Sequence, residues 1–184
     1  EPLSLTKMIS LADNTVSCRN YGLTSSYAKL PSDDKLRVKM LQLFDDEISR
    51  VFFADRVVIV EGDTEILAIK NTLKIIPEST RKEILYKSQV IRARGKASII
   101  SLVKYLQDLG IYPFVMHDRD KGTAGAEIFN QPIADAINDP NRLILNNENV
   151  EDSLGYTAPS SDKPFKAFLV SSQWASVTDI PEEW

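Results

Sequence analysis

The sequence predicts an α/β fold, with a central parallel sheet flanked by helices, Rossmann-like in its layering, behind an N-terminal linker helix. Three observations predict it. Residues 57–60, Val57-Val58-Ile59-Val60, are β-branched throughout, as in a strand buried on both faces. From residue 57 onward strand-like and helix-like runs alternate as β-α-β-α-β-α-β, the pattern of a parallel sheet joined by right-handed crossovers. Finally, two of the strands end in acids, Glu61 after the first and Asp118 and Asp120 after the third. Ligands of open α/β sheets lie beyond such carboxyl ends.

In chain order, Met8-Ile9-Ser10-Leu11 reads as a short strand, with Val16, Cys18 and Tyr21 in a weaker second one. Ser32-Asp33-Asp34 is a helix start. From Leu36 the residues Met40, Leu43, Phe44, Ile48, Val51 and Phe52 recur at helical spacing, giving a long helix to about residue 54. A helix over 64–73 follows the first strong strand. Pro77 and the charged run 78–83 mark a connection with room for a helical turn, and residues 88–92 are a second strand. Residues 96–109 form an amphipathic helix with Ile99, Leu102, Val103 and Leu106 inward, closed by Gly110. The next strand spans 111–117. A glycine-bearing loop at 122–125, a helix over 126–137 that Pro132 can disturb, a break at Asn138-Asp139-Pro140 and a fourth strand at 142–145 complete the unit.

The 184 residues suit one ordinary domain with an added arm. A 43% hydrophobic and 26% charged composition fits a soluble globular chain. No apolar run approaches the ~20 residues of a membrane span, and residues 1–7 show no signal-peptide pattern. One cysteine, Cys18, excludes an intrachain disulfide and a cysteine-based zinc site, so the expected setting is intracellular and cytoplasmic. Cys18 itself is expected to be a small buried apolar residue. The net charge of −4 argues against a strongly basic nucleic-acid-binding domain but not against a nuclease, whose metal-holding acids count as negative charge. The chain opens on Glu1-Pro2-Leu3 without Met and stops on Glu183-Trp184, which reads as excision from a larger protein.

The acids carry the chemistry. Glu61 follows the buried strand, and Gly62 permits a tight turn or close approach to a ligand. Glu65 stands one helical turn after Glu61, so the two could flank one ion. Asp118 and Asp120, one residue apart, share a side of an extended backbone. Mg²⁺ takes hard oxygen ligands and needs only one or two carboxylates directly, so four clustered acids can seat two ions that serve phosphodiester cleavage. The bland readings are helix capping by strand-end acids and a surface position for Glu65. Two acid clusters at strand ends within one α/β unit favour the metal site.

These residues resemble the Toprim domain, a fold shared by topoisomerases, bacterial primases, recombination proteins and OLD (overcoming lysogenization defect) nucleases. The resemblance covers roughly residues 55–155. Within it, Phe53-Ala54-Asp55-Arg56 leading into 57–65, Arg94-Gly95-Lys96, and Val115-Met116-His117-Asp118-Arg119-Asp120 look most like the OLD family. The family joins an ABC-type ATPase to a Toprim nuclease. The resemblance therefore implies DNA as substrate, Mg²⁺ or Mn²⁺ as cofactor, an upstream ATPase domain that ends in residues 1–54, and a C-terminal extension at 156–184. It also allows a homodimer. It makes Glu61, Glu65, Asp118 and Asp120 metal-binding acids. Glu151, preferred over Glu148 and Asp152, is the later acid, and Lys163 the late lysine facing the scissile phosphate. Where relatives carry a polar residue shortly after the Asp-x-Asp, this chain has Lys121-Gly122-Thr123.

Two further functions compete. A non-catalytic Toprim module would bind nucleic acid or a partner protein. A haloacid-dehalogenase-like phosphatase would use Asp118 as nucleophile, but Lys121 stands where its loop has Gly and Glu61-Gly62 goes unexplained. Among other residues, His117, the one histidine, is expected to point into the sheet core. Gly95-Lys96-Ala97-Ser98 lacks the earlier glycine of a P-loop and a Ser or Thr directly after the lysine, and Lys96 is either a surface cation or a DNA-phosphate contact. Tyr105 and Tyr112 lack the context of a topoisomerase nucleophile, and Trp174 and Trp184 are packing residues.

Overall fold

A computed structural model describes residues 4–44 and 46–184. The chain start at Glu1-Pro2-Leu3 lies outside the described residues, as does the side chain of Phe44. The first elements are an antiparallel hairpin, β1 (Leu5–Ser10) and β2 (Val16–Tyr21), then helices α1 (Leu23–Lys29) and α2 (Ser32–Phe44) and a 3₁₀ segment, Asp46–Phe52. The α/β unit follows: β3 (Arg56–Val60), α3 (Asp63–Ile75), α4 (Glu78–Lys87), β4 (Ser88–Arg92), α5 (Lys96–Asp108), β5 (Phe114–Asp118), α6 (Ala124–Glu127), α7 (Asn130–Ile137), β6 (Leu143–Asn146), α8 (Val150–Ser153) and α9 (Lys163–Ser171).

The four later strands form one parallel sheet in the order β4-β3-β5-β6. The chain passes from β3 to β4 in one direction, then crosses back over β3 to β5. Right-handed crossovers therefore put α3 and α5 on opposite faces of the sheet, and the reversal creates a switch point between the ends of β3 and β5. On one face α5, with α2 and α7 packed against it, buries Ile99, Leu102 and Leu106 against Val57, Ile59, Ile91 and Val115. On the other, α3 packs against α9, and Ala68, Val150, Leu154 and Ala167 form a second cluster edged by Trp174 and Trp184.

Sequence and structure differ at several elements, each for a local reason. The expected connection at 78–83 is a full helix, α4. It buries no residue, so it has no apolar period to detect, and the pairs Lys82–Glu78 and Lys87–Glu83 at i,i+4 support it. The expected strand 111–117 begins only at Phe114, after Pro113, which has no amide to donate to the ladder. Residues 126–137 divide into α6 and α7, with Pro132 tolerated in the first turn of α7.

The long helix expected over 32–54 is α2 to Phe44 and a 3₁₀ segment from Asp46, and the expected stripe divides: Ile48, Val51 and Phe52 are buried, but on α2 the apolar side that faces inward is a different one. Leu36 and Leu43 are exposed, whereas Val38 and Leu41 are fully buried. Both sets have helical spacing, so period alone could not choose between them. Cys18, expected to be buried, is exposed on β2. Gly110 ends α5 as expected, with φ 74°. Its amide donates to the carbonyl of Gln107 and that of Ile111 to Leu106, both at 2.8 Å, which is a Schellman closure.

The C-terminal segment is fastened to α3 by polar contacts as well as packing. Buried Asn71 donates from Nδ2 to Ser171 Oγ at 2.7 Å, and Trp184 Nε1 donates to Thr72 Oγ1 at 2.8 Å. Asn71→Ala removes the buried bond that Ser171 Oγ accepts across the α3–α9 contact and leaves that hydroxyl only its donation to the Ala167 carbonyl at 2.7 Å. A loss of about 1–3 kcal/mol in unfolding free energy is expected, read by urea denaturation. An unchanged midpoint would show that α9 is held by apolar packing alone.

Candidate metal centre

Each acid reaches the switch point by a different route. Glu61 follows directly on β3, whose Val60 pairs with Met116 of β5, so Glu61 lies beside the end of β5. Gly62 is the N-cap of α3 in extended backbone. A Cβ there would meet Glu65 Oε2 at 3.7 Å, so the glycine leaves the flank of that acid open. Glu65 is the third residue of α3 and accepts a hydrogen bond from the Gly62 amide at 3.2 Å. It caps the helix, as the bland reading required, yet it is 3% exposed and not a surface residue. Burial pushes its carboxyl up to about 7, with the charges of Asp118 and Glu61 adding to the rise.

Asp118 is the last residue of β5, opposite Asn146 of β6. Asn146 Nδ2 donates to Asp118 Oδ1 at 2.8 Å, and Ser153 Oγ reaches Asn146 Oδ1 at 3.4 Å. Burial raises the Asp118 carboxyl to about 6, against the lowering effect of that Asn146 bond, and Asp120 and Glu151 raise it further. Glu61 is raised to about 7, first by burial and then by Asp118. Three neighbouring carboxyls thus resist ionisation in the absence of a cation.

Asp120 departs from the extended geometry expected of an Asp-x-Asp. Its φ is 52°, in the left-handed region that Asp tolerates better than most residues. Its amide donates to Glu148 O and its carbonyl accepts from Thr123 N, both at 2.9 Å. The turn delivers its carboxylate to Lys96 Nζ at 2.7 Å. Lys96 is correspondingly buried, at 4% exposure, rather than a surface cation.

Glu151, in the first turn of α8, is fully buried, and neither carboxylate oxygen has a hydrogen-bond partner among the described residues. Its nearest cation is Lys163 Nζ at 3.6 Å, on a side chain 47% exposed. Glu148 and Asp152 are exposed. Tyr156, whose hydroxyl is also without a partner, is raised to about 12 by burial and by Glu151. His117 is buried, with Nδ1 2.8 Å from the Asp118 carbonyl. Since a carbonyl only accepts, Nδ1 carries the proton. Burial lowers the ring to about 4, so it is neutral at physiological pH.

The structure therefore brings Glu61, Glu65, Asp118, Asp120, Glu151 and Lys163 to one end of the sheet. Sequence reasoning missed Asn146 and Ser153, which orient Asp118. The available signal was that Asn146 ends a strand as Asp118 does. The residues fit a hard divalent cation: all donors are carboxylate oxygens, and Glu61 Oε2 and both Glu151 oxygens are buried without a hydrogen-bond partner among the described residues. Among the described residues no three acidic, histidine or cysteine side chains converge on a single ion position. Asp120 is paired with Lys96 at 2.7 Å, and Glu151 lies 3.6 Å from Lys163. Carboxylates crowded without a cation repel one another. An apolar cavity of about 390 Å³ lies away from these acids, lined by Leu5, Leu23, Tyr27, Ile48 and Phe52 among others. It lacks their clustered carboxyls.

Residues 52–120 match the family described as Overcoming lysogenization defect protein-like, TOPRIM domain. An OLD-like Toprim domain spans these residues. The four-stranded parallel sheet flanked by helices is the Toprim architecture, and the domain is a metal-binding module of nucleic-acid-processing proteins. The matched stretch contains Glu61, Glu65, Asp118 and Asp120 and ends before Asn146, Glu151 and Lys163, so those three rest on geometry. No curated protein matches the chain. Among the described residues no helix is long and apolar enough to cross a membrane.

Proposed function

We propose that this chain is the nuclease part of an OLD-type ATPase-nuclease, a Mg²⁺- or Mn²⁺-dependent DNA endonuclease. The observation that carries the reading is the group of five carboxyls at the Toprim switch point, three of their buried oxygens without a hydrogen-bond partner among the described residues. Glu61, Asp118 and Asp120 are the residues to hold the cation, with Glu65 and Glu151 at its flanks. A bound divalent cation, or two, supplies Lewis-acid stabilisation of the phosphate and a more acidic water.

The remaining roles fall to the protein. Asn146 fixes one Asp118 oxygen and leaves the other for the ion. Buried neutral His117 holds the carbonyl at the strand end and is too weak a base to serve as a charged group. Lys163, half exposed at the edge of the acids, is placed to offset charge on the scissile phosphate. Residues 1–54 are read as the end of an upstream ATPase region with its linker, 55–155 as the Toprim core and 156–184 as a C-terminal extension that contributes Lys163.

The test is incubation of supercoiled plasmid with the chain and Mg²⁺ or Mn²⁺, beside Glu61→Ala and Asp120→Ala. Metal-dependent nicking is expected of the parent and loss of at least ~100-fold in both variants, the scale of removing a transition-state contact. Nicking that survives in both variants overturns the assignment. Cation binding by calorimetry without nicking would favour a non-catalytic nucleic-acid-binding module.

A further inference from the structure

Lys96 is the one buried lysine among the described residues, and it sits among acceptors. Its ammonium is 2.7 Å from Asp120 Oδ2, 3.0 Å from Asn130 Oδ1 and 3.5 Å from the Ala126 carbonyl. Asn130 in turn donates to the Arg119 carbonyl at 2.7 Å, bracing the turn that carries Asp120. Lys96 stands at the first position of α5, after Gly95 at φ 109°. A cation at the positive end of a helix dipole is unfavourable, and burial of an ammonium is costly. The Asp120 carboxylate, with the Asn130 and Ala126 oxygens beside it, offsets these terms. The field of Lys96 also reaches Glu61.

We infer that Lys96 is a resident cation of the acid cluster. It neutralises Asp120 when no divalent ion is bound and competes with that ion for the same carboxylate. The inference rests on the reading of Glu61, Asp118 and Asp120 as cation ligands. A divalent ion that takes Asp120 must draw it from the ammonium or share it, and in both cases meets a unit positive charge nearby. The two halves of the centre are therefore unequal. The Glu61–Asp118 side fills without displacing a protein cation, and the Asp120 side fills against Lys96. Lys96 thus sets the divalent concentration at which the centre completes.

Calorimetric titration of the full chain with Mn²⁺ alone, and thermal melts with and without Mn²⁺, test this in Lys96→Met and Lys96→Gln. Met keeps the apolar stem without charge. Gln keeps a hydrogen bond to Asp120 without charge, and serves if Met does not fold. Both are expected to bind Mn²⁺ more tightly by about tenfold, the scale of removing one adjacent charge at a partly screened site. Their melting temperature should fall without the ion and gain more from it than the parent's does. Unchanged or weaker Mn²⁺ binding, with an equal melting loss in both conditions, would mean that Lys96 is only a tether, and the inference fails. Absence of Mn²⁺ binding in the parent and both variants would overturn the ligand reading and this inference together. Binding in the parent alone overturns only this inference.

Discussion

Under the proposed function, Asp118→Asn is expected to abolish metal-dependent cleavage and to leave the metal-free fold more stable at pH 8. The two effects have one cause. Asp118 is 9% exposed, accepts one bond from Asn146, and lies among Asp120, Glu151, Glu61 and Glu65. Its carboxyl is pushed to about 6, so at pH 8 it is ionised at a cost. Asparagine keeps the shape and still presents an oxygen to Asn146 Nδ2, while removing the charge. Stability should rise by about 1–3 kcal/mol, the scale of a shifted buried carboxyl discounted for partial solvation. Cleavage should fall by ~100-fold or more, because the amide is a poor ligand for a hard cation. Urea denaturation at pH 8 without metal, paired with plasmid nicking, reads both. A destabilised Asp118→Asn would show that the carboxylate serves the fold and is not a strained ligand.

Stability and function being opposed at these acids bears on what the sequence disclosed. The strands were legible because β3 is β-branched from Val57 to Val60 and its neighbours are bounded by Pro113, Gly95 and Asn138. Glu61 and Asp118 were legible because a charge directly after a buried strand breaks the local rule of the element, and such breaks concentrate at functional positions. Asp120 was legible as an acid but not as a conformation. Its left-handed backbone depends on Glu148 and Thr123 closing a turn around it, and Glu148 is remote in sequence.

The same limit hid Lys96. Nothing in Arg94-Gly95-Lys96 shows that a lysine 24 positions before Asp120 will be buried against it. Only the crossover from α5 to β5 brings them together. Asn146 stood out too little for a different reason: it ends a strand as Asp118 does, but a neutral amide there resembles ordinary turn chemistry. On α2, Leu36-Met40-Leu43 and Val38-Leu41 offered two apolar faces of equal period. The choice belongs to α5, whose Ser101 and Lys104 bind Asp34 on the inward side.

Three raised acids should make the metal-free protein lose stability as pH rises from 5 to 8, opposed below about pH 6.5 by His117, whose lowered ring favours the fold as the unfolded imidazole loses its proton, and the cation should reverse the trend of the acids. Glu61 and Glu65 are raised from an ordinary 4.5 to about 7, and Asp118 from 3.8 to about 6. Between those limits the folded chain holds protons that the unfolded chain has released, so the slope of unfolding free energy with pH is negative. The stabilisation is fully present below about pH 4 for these three groups and is lost as pH passes through 6 to 7. Because the three interact, their steps belong to the cluster and not to single residues. The combined loss is on the order of 2–4 kcal/mol. A divalent ion binds only the ionised acids, so at pH 6 its binding must release protons, on the order of one per ion. At pH 8.5 the acids are already ionised and the release should approach zero. Titration with Mg²⁺ in two buffers of different ionisation enthalpy measures the release, and melts across the pH range measure the slope. Equal proton release at both pH values would mean that the cation binds without drawing on these raised carboxyls. A metal-free stability that climbs from pH 6.5 to 8, above the range in which His117 contributes a rise, would place the favourable charge interactions of the cluster, through Lys96 and Lys163, above the cost of burying its acids.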